Sequence, residues 1–96
     1  MTQQVIVDIL KSIKQEARHL YKSELCGLFG SYSRGQQIET SDIDVLVKFL
    51  PGATLLDLSG LGDFLENKLH SKVDIVSERG LREEIKPYIT NDLIVI

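Results

Sequence analysis

GSYSRGQQIETSDIDVLVKF, residues Gly30 to Phe49, is the stretch on which the reading of this chain turns. A Gly-Ser pair opens it, ten residues follow, and Asp42-Ile43-Asp44 then leads into an apolar run. Side chains alternate along a strand, so Asp42 and Asp44 point one way and Ile43 the other. Two like charges on one face are costly unless something cationic lies between them. A divalent metal meets that need, and a Gly-Ser turn nearby can hold phosphates. The bland reading is that the two acids are turn and strand-edge residues, with Ser41-Asp42 capping a loop.

The flanking sequence supplies the rest of a small fold. Residues 3–21 carry Val5, Ile6, Ile9, Leu10, Ile13, Ala17 and Leu20 at helical spacing, with Lys11, Lys14, Gln15 and Arg18 opposite. That polar face reads as solvated, or as a docking surface for an acidic partner. Leu25-Cys26-Gly27-Leu28-Phe29 reads as a buried strand, Ser31–Gly35 as a turn able to open a short helix, and Ile43–Phe49 as the second strand. Pro51-Gly52 stops it. Thr54 is a natural N-cap for a helix over 54–70, with Leu55, Leu58, Leu61, Leu65 and Leu69 on one face. Gly60 and Gly62 weaken its middle, which predicts a kink or a late start. Val73–Val76 reads as a third strand, Gly80–Lys86 as a short helix stopped by Pro87, and Leu93–Ile96 as a final β-like run. The order is α-β-α-β-α-β-α-β. It predicts an α+β (α/β mixed) domain over residues 1–96, with about four strands in a small mixed sheet and helices packed on it.

Asp74 changes the weight of the acid pair. It too sits in an apolar strand, where aspartate is depleted. The helix between the two strands is long enough to bring them side by side, and Asp74 can then join Asp42 and Asp44. Three carboxylates suit Mg²⁺ or Mn²⁺, hard ions that keep water and phosphate in their remaining positions. Zinc is not indicated: there is one cysteine, and His19 and His70 read as remote from the acids. At the turn, Gly30 lets a phosphate approach the backbone, and Ser31 offers a hydroxyl and an N–H. A helix starting there favours an anion, within reach of Arg34. Metal and phosphate together point to nucleotidyl transfer.

Composition narrows the setting. A net charge of −3 argues against a general nucleic-acid binder. No apolar run approaches the length of a membrane span, and the first twenty residues lack the basic start and apolar block of a signal peptide. A cytoplasmic protein is the expectation. Cys26 has no second cysteine to pair with, and reads as a buried, inert thiol.

The stretch Gly30–Phe49, with KVDIVS at Lys72–Ser77, resembles the DNA polymerase β-like nucleotidyltransferase superfamily, and within it the minimal nucleotidyltransferases, or MNT proteins. The likeness runs through essentially the whole chain, down to RGLREEIKPYITNDLIVI. Ser33 stands where a small residue such as alanine is usual before the arginine. The resemblance implies a polymerase β palm-like fold. It also implies that Gly30 and Ser31 hold the β,γ-phosphates of a nucleoside triphosphate, with Arg34 reaching them. By the same resemblance Asp42 and Asp44 bind two Mg²⁺ ions, and Asp74 binds the metal nearest the acceptor and helps deprotonate its hydroxyl. Few residues follow the third strand, so the acceptor is expected to come from elsewhere.

Minimal members are commonly paired with a HEPN-domain protein. The resemblance implies an antitoxin that transfers AMP from ATP to a tyrosine of a HEPN ribonuclease toxin, in a hetero-oligomer. Two other readings remain open from the residues. The chain can be a subunit that modifies a small molecule, or a module that neutralises its partner by occlusion alone. Retention of all three acids favours catalysis.

Overall fold

In the computed structural model, which describes all residues from Met1 to Ile96, the sequence order becomes one four-stranded sheet, whose strands lie side by side in the order Val73–Ser77, Ile43–Phe49, Ser23–Phe29, Ile94–Val95. Helix α1 (Gln3–Tyr21) is capped by Thr2, whose hydroxyl accepts from the Val5 amide at 3.3 Å, and ends on Lys22 in a left-handed conformation. Ile6, Leu10, Ile13 and Ala17, spaced four, three and four apart, form its buried face. Val7 joins them, whereas Val5 and Leu20 are exposed rather than part of the stripe. Val5 projects off that face, and Leu20 lies in the last turn. Lys14 is not a free solvated side chain either: its Nζ donates to the Ile96 carbonyl at 2.8 Å.

Strand β1 (Ser23–Phe29) begins earlier than its apolar run, because backbone pairing of Ser23 with Phe49 and Glu24 with Lys48 extends the ladder past the hydrophobic residues. Its register shifts between Leu25 and Gly27, which makes Cys26 the extra residue of a bulge. The shift keeps Leu25 and Leu28, both fully buried, on the core face. The thiol of Cys26 is half-buried, and burial, then Glu78 and Glu24, push its pKa up. That fits an unreactive side chain.

Strand β2 (Ile43–Phe49) runs antiparallel to β1 and sends Ile43, Val45 and Val47 into the core. Helix α3 (Leu55–Leu69) follows, closed at its start by a reciprocal box: the Thr54 amide donates to Asp57 Oδ2 at 2.9 Å, and the Asp57 amide to Thr54 Oγ1 at 3.4 Å. It runs unbroken from its Thr54 cap through Gly60 and Gly62, so of the expected kink or late start, the late start is not seen. Gly60 is there for space, since a Cβ at that position would stand 2.6 Å from the Tyr21 ring of α1. Gly60→Ala should therefore lower stability by about 1–3 kcal/mol although alanine is the better helix former, because overpacking outweighs propensity. Thermal unfolding of the variant checks this; an increase in melting temperature would refute it.

Only the later part of the predicted leucine face is buried. Leu61, Leu65 and Leu69 enter the core, while Leu55 and Leu56 are each 83% exposed and Leu58 is also on the surface. The first buried residue of the helix, Leu61, comes nearly two turns after its start.

Strand β3 (Val73–Ser77) returns parallel to β2, which needs a crossover of the kind α3 supplies. The C-terminal part departs from the sequence reading. Glu78–Gly80 is a single 3₁₀ turn, and the helix, α4 (Lys86–Asp92), lies later than the predicted Gly80–Lys86. Pro87 does not stop a helix but sits in its first turn. Proline's missing N–H costs nothing there, since first-turn amides have no intrahelical partner, and its φ is already helical. To keep the labels in chain order, the short helix Ser31–Arg34 is α2, and β4 is Ile94–Val95. Strand β4 pairs with Gly27 and Leu28 of β1, and the Ile96 amide donates to the Cys26 carbonyl at 3.1 Å.

Helices α1 and α3 cover one face of the sheet. On the other face Leu46 and Cys26 share a cavity of about 310 Å³ with Leu81, Ile89 and Leu93 of the C-terminal segment. The same face carries the acids. No helix of the chain is long and apolar enough to cross a membrane.

Candidate active site

The parallel register of β2 and β3 puts Asp44 directly opposite Asp74, and the antiparallel register of β1 and β2 puts Phe29 opposite Asp44. Register partners share a face, so both carboxylates leave the sheet on the side away from α1 and α3. Asp42 immediately precedes β2 and is exposed, as is Asp74, while Asp44 is half-buried. Burial, then the charge of Asp74, then that of Asp42, push the Asp44 carboxyl up to about 6; Arg34 pulls it down, and a hydrogen bond to Asp74 adds to the rise. A carboxyl kept from ionising by burial and by two neighbouring acids is what a cation would relieve.

Gly30 follows Phe29 and turns the chain into α2 with φ 75° and ψ −153°. A Cβ there would overlap Asp44 Oδ2, so the bare backbone of the Gly-Ser turn lies against the carboxylate. The Gly30 carbonyl accepts from the amides of Ser33 and Arg34 at 3.1 and 3.2 Å, and from Ser33 Oγ at 2.9 Å. Those bonds hold α2 in place, and the amides at its start have no carbonyl behind them. Gln3 Nε2 donates to the carbonyls of Tyr32 and Ser33, each at 3.0 Å, which ties α2 to the start of α1. Nothing in the local sequence pointed to Gln3, because its partners are 29 and 30 residues away.

Arg34 emerges from the end of α2. Its Nη1 stands 3.1 Å from Asp92 Oδ2 on α4, and its Nε donates to Gln36 Oε1 at 3.2 Å. Asp92 also escaped the sequence reading. His70, read there as remote from the acids, in fact lines a polar cavity of about 480 Å³ with Asp42, Ser41, Thr40, Ser71 and Lys72. The left-handed turn at His70 after α3 and the pairing of β3 beside β2 bring it there. Thus Gly30, Asp44 and Asp74 form one patch, Asp42 opens onto its rim, and Arg34 flanks it.

The predicted three-acid ligand set is not closed. No group of three or more His, Cys, Asp or Glu side chains stands close enough to hold a metal ion. Mutual repulsion of the carboxylates opposes that closure. The donors are nonetheless all hard oxygens, as Mg²⁺ or Mn²⁺ requires.

Residues 10–95 match the family model described as nucleotidyltransferase domain. The chain belongs to that family. Among its relatives, the protein adenylyltransferase MntA of Thermococcus cleftensis is 33% identical over 96 residues, spanning 100% of this chain and 97% of the relative. A solved structure provisionally described as a minimal nucleotidyltransferase superposes with a TM-score of 0.84 at 33% identity, covering 100% of this chain and 97% of that one. A crystal structure of a toxin–antitoxin with AMP-PNP matches at a TM-score of 0.68 and 26% identity, covering 99% of this chain and 72% of its own. The nucleotidyltransferase fold is therefore the minimal one, and the expected mixed four-stranded architecture holds.

Proposed function

We propose that this nucleotidyltransferase is the antitoxin of a HEPN ribonuclease toxin and transfers AMP from ATP to a tyrosine hydroxyl of that partner. The observation that carries the reading is the position of Asp44, with the bare backbone of Gly30 on one side and Asp74 in register on the other. A triphosphate on the turn then has its α-phosphorus beside the acids. The relative named protein adenylyltransferase and the AMP-PNP-containing toxin–antitoxin support the choice of nucleotide and of a protein acceptor. The HEPN identity and the tyrosine come from the family resemblance.

Gly30 and Ser31 hold the β,γ-phosphates through backbone N–H groups, and Arg34 adds a charged contact. Two Mg²⁺ ions on Asp42, Asp44 and Asp74 would lower the pKa of the attacking hydroxyl and neutralise charge on the departing pyrophosphate. Asp74 accepts the hydroxyl proton as the acceptor oxygen bonds to the α-phosphorus and the bond to the bridging oxygen of pyrophosphate breaks. Positioning and charge supply the rest of the rate. Leu55 and Leu56 leave exposed apolar surface for a partner to cover.

The test incubates the protein with Mg²⁺, ATP labelled at the α-phosphate and the protein encoded next to it. Label should move onto that protein, onto tyrosine, and Asp42→Ala should abolish both the transfer and neutralisation of toxicity in cells. Neutralisation that survives Asp42→Ala would establish occlusion instead, and label found only on small molecules would overturn the protein acceptor.

A further inference from the structure

We propose that Asp92 is a positioning residue for nucleotide binding, which holds the Arg34 guanidinium beside the Gly30-Ser31 turn without itself touching phosphate. The inference rests on the reading of Arg34 as a triphosphate ligand and adds to it a role for the C-terminal segment.

Arg34 is exposed and sits at the end of a helix of four residues, a poor platform for a long side chain. Left alone, it would lose much rotamer freedom on closing over a phosphate. Two partners already restrain it. Asp92 Oδ2 takes Nη1 at 3.1 Å, and Gln36 Oε1 takes Nε at 3.2 Å. Neither bond uses Nη2, so one corner of the guanidinium fork keeps its two donors for an incoming oxygen. In this restrained position the charge of Arg34 already acts on Asp44, so the head group lies within the field of the site.

Asp92 is itself well fixed. It ends α4 and comes two residues before Ile94, which pairs with Leu28 of β1. The Ile96 amide bonds the Cys26 carbonyl, and Lys14 Nζ holds the Ile96 carbonyl. Strand β1 therefore carries Gly30 at its end and, through β4, steadies the carboxylate that orients Arg34. The C-terminal segment thereby becomes part of the phosphate site.

The opposite relation is physically possible: Asp92 could compete with phosphate for Arg34. The two are separated by the affinity of the full chain for MgATP, measured by calorimetry, with thermal melts confirming that each variant folds. Arg34→Ala should weaken binding. Asp92→Ala should weaken it by about 3–5-fold, the scale of an exposed, well-oriented ion pair. Asp92→Glu should restore most of the loss, and Asp92→Ala should have no further effect in the Arg34→Ala background. A role confined to folding would move affinity equally in both backgrounds and would overturn the inference. Unchanged or tighter binding by Asp92→Ala overturns it too. Unchanged binding by Arg34→Ala overturns the phosphate role of Arg34 itself, and with it this inference.

Discussion

Asp44→Asn is expected to abolish nucleotidyl transfer and, at pH 7, to raise the melting temperature of the protein. The two effects share one cause. The Asp44 carboxyl is pushed up to about 6 from the ordinary 3.8, first by burial and then by Asp74 and Asp42. The folded chain thus binds this proton more tightly than the unfolded chain. Its contribution to stability is fully present below the unfolded value and is lost as pH rises through about 6. At pH 7 the ionised carboxylate is a cost that asparagine removes. After discounting for solvent screening of a half-exposed group, the gain is on the order of 1 kcal/mol, or roughly 4–8 °C for a domain of this size. The gain should shrink towards pH 4.5, and an increase at low pH instead would contradict the sign. Transfer should fall by about a thousandfold or more, because loss of a shared metal ligand removes several kcal/mol of transition-state stabilisation. In the unsubstituted protein at limiting Mg²⁺, activity should drop about tenfold per unit as pH falls below about 6, where a proton competes with the cation.

Gly30→Ala should damage both fold and site. At φ 75° and ψ −153° the backbone lies in a region essentially confined to glycine. Forcing alanine there costs about 1–3 kcal/mol, or roughly 5–20 °C in melting temperature. The added methyl must also displace the Asp44 carboxylate, with which it would overlap. A misplacement of this kind costs about 100-fold in rate, beyond any loss of ATP affinity. Melting, MgATP binding and label transfer measured on the one variant separate these effects. A variant with unaltered transfer would remove the turn from the site.

The candidate site was unusually legible where its parts are local. The alternation along Ile43–Phe49 placed Asp44 opposite the core-facing residues, and the helix length between the strands brought β3 beside β2. Strand, helix and cap signals of this kind act over a few residues, which is why α1 and β2 fall on their predicted bounds and Thr54 caps α3. The misses are of another kind. Pro87 was read as a stop because proline ends helices from within, yet only the surrounding chain decides whether it lies inside a helix or at its first turn. Leu55 and Leu58 have the right spacing for a buried face, but a helix buries only what the sheet beneath it reaches.

From the sequence alone came the candidate chemistry: a Gly-Ser turn, a D-x-D strand and a third acid, in the order on which the family resemblance rests. Those are statements about residue types and short spacings, and they survive without knowing how strands pair. Tertiary structure decided which atoms meet. The Asp44–Asp74 register, the fit of Gly30 against Asp44, the approach of His70 to the acids' rim and the Arg34–Asp92 bridge across 58 residues all depend on how the sheet is ordered. Pairing of distant segments is set by the sum of core packing and backbone hydrogen bonds over the whole chain, and no local stretch carries that sum.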